Sequence, residues 1–123
     1  MRFNQYMIYV TDLKRSLVFY KRLGLKQIVD SPHYARLVAP DNEATFSLHL
    51  AEEAAPGTTK IYFEYDQLDK TVESLKNDGF VFETELTEQE WLWREIDLKD
   101  PDGYRVCLFH AGTNRLDPPW KMK

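Results

Sequence analysis

Residues 9–25, YVTDLKRSLVFYKRLGL, can be written over residues 64–80, EYDQLDKTVESLKNDGF, without a gap. Leu13 then falls on Leu68, Ser16 on Thr71, Leu17 on Val72, Lys21 on Lys76 and Gly24 on Gly79, every pair 55 residues apart. Identities are few, but the physical pattern repeats with them. Leu13, Leu17 and Tyr20 form an i, i+4, i+7 stripe, and so do Leu68, Val72 and Leu75, which predicts one amphipathic helix in each segment. Gly24 and Gly79 are placed to end those helices in the left-handed conformation, while Asp12 or Thr11 is expected to cap the first and Asp66 the second. A unit that recurs is one structural module, so this repeat decides the fold before any single element does.

Working outward, each helix is preceded by a segment rich in β-branched and aromatic residues, FNQYMIYV before the first and KIYFEYD before the second. LKQIVD (25–30) and FVFETE (80–85) supply a strand after each helix, and YARLVA (34–39) and WREIDLK (93–99) the next. PDN at 40–42 and PDG at 101–103 are turn signals, with Asn or Gly where a positive φ is wanted, and each leads into an apolar strand, ATFSLHLAE (44–52) and YRVCLFHA (104–111). The expected architecture is α+β: two tandem βαβββ modules forming a curved eight-stranded mixed sheet around a concave cavity, with the helices on the outer face. One helix covers only one face of a four-stranded sheet, and a second copy is the simplest cover for the other. The chain reads as a single domain, with module 1 at about 1–55, module 2 at about 58–112 and a tail over 112–123 that Pro118 and Pro119 keep irregular.

Alternation along the strands sorts side chains by face. Tyr6, Ile8, Val10, Phe46, Leu48, Leu50, Ile61, Phe63, Tyr65, Ile96, Leu98, Val106 and Leu108 are expected toward the helices. Gln5, Met7, Tyr9, Thr45, Ser47, His49, Lys60, Tyr62, Glu64, Trp93, Glu95, Asp97, Arg105, Cys107 and Phe109 are left for the concave side.

Composition bounds the function. The 123 residues are 43% hydrophobic and 14% aromatic, enough for one core, and 16 Lys plus Arg against 20 Asp plus Glu give a net charge of -4 with no basic cluster. That speaks against nucleic acid or an anionic membrane as a partner. No run approaches the ~18 apolar residues of a membrane span, and MRFNQYMIYV lacks a charged lead or a cleavage-like site, so a cytoplasmic location is expected. The lone Cys107 cannot close a disulfide within the chain.

Three stretches, MRFNQYMIYVTDLKRSLVFYKRLGL, IYFEYDQLDKTVESLKNDGF and IDLKDPDGYRVCLF, resemble the vicinal oxygen chelate superfamily of glyoxalases, bleomycin-resistance proteins and extradiol dioxygenases. The resemblance covers nearly the whole chain. It implies metal ligands on the first, fourth, fifth and eighth strands, and it lands on Gln5, His49, Lys60 and Cys107. Gln5 offers a carbonyl oxygen and His49 an imidazole, and these two are the candidate metal ligands for a possible divalent cation. Lys60 has no lone pair to give while it is charged, and Cys107 would serve only as a thiolate. The two-His, one-carboxylate iron site implied for an extradiol dioxygenase would fall on Gln5, Lys60 and Cys107, which argues against that activity. A homodimer is also implied, with NRLDPPWK laid on the partner.

Each candidate has an ordinary reading beside its functional one. His49 and Gln5 are polar residues on a half-exposed strand, contacts to an organic ligand, or metal ligands. Lys60 snorkels to solvent, pairs with Glu64 on the same face, or holds a ligand carboxylate or phosphate. Cys107 reads as a small apolar filler. Tyr9, Tyr62, Trp93 and Phe109 are either core or the walls of an aromatic pocket, and Trp91 in TEQEWLW is a candidate lid or dimer contact. The candidate ligand-binding cavity thus comprises Gln5, Tyr9, Ser47, His49, Lys60, Tyr62, Glu64, Trp93, Cys107 and Phe109, with no catalytic residue assigned. The expected function is a small-molecule binder of the bleomycin-resistance type. The rival readings are a glyoxalase-type lyase or isomerase with a metal at Gln5 and His49, and a non-catalytic regulatory or assembly module.

Overall fold

The computed structural model describes residues 1–123, in the order β1 (Gln5–Val10), α1 (Leu13–Arg22), β2 (Lys26–Ser31), β3 (Tyr34–Val38), β4 (Thr45–Leu50), β5 (Lys60–Glu64), α2 (Leu68–Asn77), β6 (Thr87–Glu88), β7 (Arg94–Lys99) and β8 (Arg105–His110), with a 3-10 turn at Gly112–Arg115. It is an α+β fold of two βαβββ modules. The strands form two four-stranded mixed sheets, β1-β4-β3-β2 and β5-β8-β7-β6, in each of which the first pair is parallel and the rest antiparallel. The chain divides into two compact units: Met1–Gly57 with Asp100–Gly103, and Thr58–Lys99 with Tyr104–Lys123.

In the first unit α1 begins at Asp12, whose carboxylate accepts the Arg15 N–H at 3.1 Å. It ends at Gly24, φ 117°, where the Gly24 N–H donates to Lys21 O and the Leu25 N–H to Tyr20 O. Those two bonds satisfy carbonyls that the last turn would otherwise leave open. The fully buried stripe is Ser16, Tyr20 and Leu23, with Leu13 and Leu17 half-buried at its flank, one step around the helix from the expected Leu13, Leu17, Tyr20 face. Tyr20 meets Phe46 edge-on at 4.8 Å over Ile8, Val10, Ala35, Leu37 and Leu48. Its hydroxyl donates to Asp100 Oδ2 at 2.7 Å, and Asp102 accepts from the Thr11 N–H and hydroxyl and from Arg15 Nη2. The PDG turn of the second sequence module therefore packs into the first structural unit.

The second unit repeats this plan with small departures. α2 closes in the same way at Gly79, φ 94°, with the Gly79 N–H on Lys76 O and the Phe80 N–H on Leu75 O. Leu68, Val72 and Leu75 are buried as their spacing predicts, against a core containing Ile96, Leu98, Val106 and Leu108. The cap differs: Gln67, not Asp66, occupies the N-cap position and makes no side-chain capping bond. The strand expected at 80–85 is absent, and β6 is the two-residue pair Thr87–Glu88. Val81 stays 83% exposed, and Asp97 engages this stretch only through the Glu83 N–H on its carbonyl and its own N–H on Thr84 Oγ1, so no continuous ladder forms. At the PDN turn the positive φ falls on Glu43, 61°, rather than on Asn42, whose side chain instead accepts the Ala44 N–H.

Candidate functional site

Register decides which side chains share a level on each sheet. Gln5 lies beside Thr45, Met7 beside Ser47 and Tyr9 beside His49, with Tyr34 and Arg36 of β3 opposite His49 and Ser47. In the second sheet Lys60 lies beside Arg105, Tyr62 beside Cys107 and Glu64 beside Phe109, with Asp97 and Glu95 of β7 opposite Cys107 and Phe109. Ser47 is thus the counterpart of Cys107, and His49 the counterpart of Phe109. Grouping His49 with Cys107 joins two different levels of the repeated sheet.

On the face of the first sheet away from α1, Gln5 Nε2 donates to Ser47 Oγ at 2.9 Å, and Ser47 Oγ lies 3.3 Å from His49 Nε2. Gln5 Oε1 accepts from the Thr45 hydroxyl. His49 sits between two rings, edge-on to Tyr34 at 4.8 Å and to Tyr9 at 6.3 Å, and Tyr34 Oη accepts from Arg36 Nε at 2.8 Å. Ser47 is 1% exposed, which keeps its hydroxyl from acting as a nucleophile toward anything in solution.

The second sheet gathers a different chemistry. Lys60 Nζ reaches diagonally across β8 to Asp97 Oδ2 at 2.9 Å, with its side chain only 19% exposed. It neither snorkels nor pairs with Glu64, two readings its sequence position had favoured. Glu64 instead accepts the N–H groups of Ala111 at 2.7 Å and Gly112 at 3.0 Å, and Arg115 lies 3.5 Å away. Burial pulls the Lys60 pKa down, but the hydrogen bond and charge of Asp97 outweigh it and leave the group above its ordinary value. Trp93 and Phe109 stack at 4.6 Å, and Tyr62 stands edge-on to both, at 6.1 and 5.7 Å. Burial raises the Tyr62 phenol, with Lys60 opposing, so the hydroxyl stays protonated at neutral pH.

Cys107 is fully buried, and burial followed by the charges of Glu95 and Asp97 pushes its thiol far above the ordinary range. It is a thiol, not a thiolate, and packs with Phe109, Ala111 and Trp93 as apolar filler. The donor set therefore does not fit a divalent metal. Lys60 is an ammonium paired with Asp97, Cys107 is packed in an apolar cluster, the Gln5 carbonyl is taken by Thr45, and no three His, Cys, Asp or Glu side chains are grouped to hold a cation.

Two carboxylates on the second face, Glu95 and Asp97, were sorted to this side by strand alternation but not singled out. Glu95 is 6% exposed and accepts only from Trp91 Nε1, at 3.3 Å, while Asp97 Oδ1 is buried without a hydrogen bond. The alternation of REIDLK was the signal available for them. Tyr34 and Arg36 join the first face through the β3 register, which no local pattern announces.

The family model described as the Glyoxalase/Bleomycin resistance protein/Dioxygenase superfamily matches residues 2–108. Among solved structures, a glyoxalase/bleomycin resistance protein/dioxygenase from Nocardioides superposes with TM-score 0.77 at 20% identity, over 100% of this chain and 90% of that one. A bleomycin-binding protein complexed with bleomycin gives TM-score 0.71 at 20% identity, over 89% and 98%. Lactoylglutathione lyase from Agrobacterium tumefaciens gives TM-score 0.75 at 15% identity, over 98% and 97%. At these identities the likeness is one of fold. A UPF0339 protein of Acinetobacter baylyi is 37% identical over 54 residues, and the match spans about half of that relative's length, 49%, and 44% of this chain.

Proposed function

The chain belongs to the Glyoxalase/Bleomycin resistance protein/Dioxygenase superfamily, and we propose that within it this protein binds a small organic molecule without the help of a metal. The observation that carries the reading is the open face of the second sheet. Tyr62 is 46% exposed and stands beside the Trp93–Phe109 stack, with polar groups of Lys60, Asp97 and Glu95 within the same patch. Apolar rings with a few fixed polar groups are the usual makeup of a small-molecule site. Gln5, Tyr9 and His49 form a separate polar patch on the first sheet, with Ser47 buried beneath it. A lyase or isomerase working through a metal is disfavoured by the same donors that fail the metal test. No helix of the chain is long and apolar enough to cross a membrane.

Metal analysis of untagged protein, followed by thermal-shift titration with divalent cations and with bleomycin as a first organic probe, tests this reading. Substoichiometric metal, no cation-dependent stabilisation and a rise in Tm with an organic ligand are expected. Stoichiometric metal, or strong cation stabilisation lost in His49→Ala, overturns it.

A further inference from the structure

The hydrogen bonds around Ser47 fix which nitrogen of His49 carries a proton. Gln5 Nε2 donates one hydrogen to Tyr6 O at 3.2 Å and the other to Ser47 Oγ at 2.9 Å. A carbonyl oxygen can only accept, so Tyr6 orients the amide and makes Ser47 Oγ the acceptor in the second contact. The Ser47 hydroxyl, 1% exposed, still has its own hydrogen to place, and His49 Nε2 at 3.3 Å is the acceptor within reach. A buried hydroxyl hydrogen without an acceptor carries its desolvation penalty, so Nε2 takes it. The neutral imidazole then holds its proton on Nδ1, and that N–H makes no hydrogen bond within the protein.

Tyr34 links this ring to a second group of donors. It meets His49 edge-on at 4.8 Å, its hydroxyl accepts from Arg36 Nε at 2.8 Å, and the guanidinium carbon lies 5.5 Å from its ring centroid. Arg36 is therefore held in place, which an arginine kept only for solubility does not need, and both of its terminal amino groups are unbonded. A planar guanidinium fork matches a carboxylate bidentately. The strand register tallies the charge around it. β1 to β4 carry one acidic residue, Asp30, and it pairs with the buried Ala35 on the helix-covered face. Lys26, opposite Val38, is the other strand cation on the open face, and none of the loop carboxylates Asp41, Glu43, Glu52 and Glu53 forms an ion pair with it or with Arg36. We propose that this face binds a small organic carboxylate: the carboxylate meets the two terminal amino groups of Arg36, the apolar or aromatic body lies against Tyr34, and the His49 Nδ1–H is a further donor to the same ligand. The single fixed guanidinium matches the one charge of a carboxylate. None of the residues of the aromatic patch on the second sheet takes part, so this site stands or falls apart from that one.

The test uses the full chain and three probes of one shape, benzoate, benzyl alcohol and benzylammonium, at neutral pH. Binding is read by thermal shift and by proton–nitrogen correlation spectra of the histidine rings, with His110 on the other sheet as the internal control. Without a probe, His49 is expected to show the Nδ1–H tautomer, and Ser47→Ala to lose that preference. Benzoate is expected to raise Tm and to move the His49 signals but not those of His110, with benzyl alcohol weaker and benzylammonium silent. Arg36→Gln, at an exposed position outside the core, is expected to weaken benzoate by about tenfold, the loss of a charge-assisted contact. Arg36→Lys should recover only part of it, because the charge returns without the fork. Binding of benzyl alcohol or benzylammonium as tight as that of benzoate, unchanged benzoate binding in Arg36→Gln, or His49 signals that answer no probe overturns the proposal. An Nε2–H tautomer in the parent overturns the donor role given to His49.

Discussion

Cys107 and Tyr65 hold their protons more firmly in the fold than in an unfolded chain, both because burial penalises the charged form. Lys60 also binds its proton more tightly when folded, through Asp97. All three shifts act in the same direction. Above the ordinary values of 9.0 for the thiol, 10.0 for the phenol and 10.5 for the ammonium, the unfolded chain loses protons that the folded chain keeps, so stability falls as pH rises. Urea unfolding at increasing pH is expected to show a steady loss of stability beginning near the thiol value. Cys107→Ala should remove the earliest part of that loss, and an unchanged slope in the variant would count against a buried neutral thiol. Tyr20 belongs to the same scale. Its ring is fully buried and its hydroxyl meets Asp100, itself 5% exposed, so Tyr20→Phe should cost about 1.5–3 kcal/mol in equilibrium unfolding, as for other hydrogen bonds to charged groups.

At the scale of elements, the two helices are capped unequally. Asp12 binds the Arg15 N–H, while Gln67 binds nothing from its side chain, so Gln67→Asp should stabilise the protein by about 0.5–1 kcal/mol, measurable as a rise in Tm. Gly79→Ala should destabilise by about 1 kcal/mol, because φ of 94° is one that a Cβ resists even where, as here, no neighbour lies within 4 Å. Helix ends were legible in the sequence because their signals are local: a stripe of apolar residues, a glycine, a carboxylate. β6 was not, because FVFETE has the composition of a strand and only its long-range hydrogen bonds to Asp97 show that no ladder forms there. The partner of Lys60 was hidden for a similar reason. Glu64 is four residues away along the chain, yet Asp97 on the strand two positions over is the one it reaches. The equivalence of Ser47 with Cys107 follows from register, which spacing alone leaves open by two residues.

For the whole molecule, the two compact units do not follow the 55-residue repeat residue for residue. Residues 100–103 leave the second module and complete the first unit, where Asp100 takes the Tyr20 hydroxyl and Asp102 the Thr11 and Arg15 donors. A fragment ending at Gly57 therefore lacks both acceptors, and it is expected to show no cooperative thermal transition by circular dichroism. A sharp melt near that of the full chain would mean the loop is dispensable. During synthesis, too, the first unit waits: its last piece follows residues 58–99, which take a few seconds to make at roughly 5–20 residues per second. Until that four-residue turn has been made, the Tyr20 hydroxyl and the Thr11 and Arg15 donors lack the acceptors they have in the finished fold.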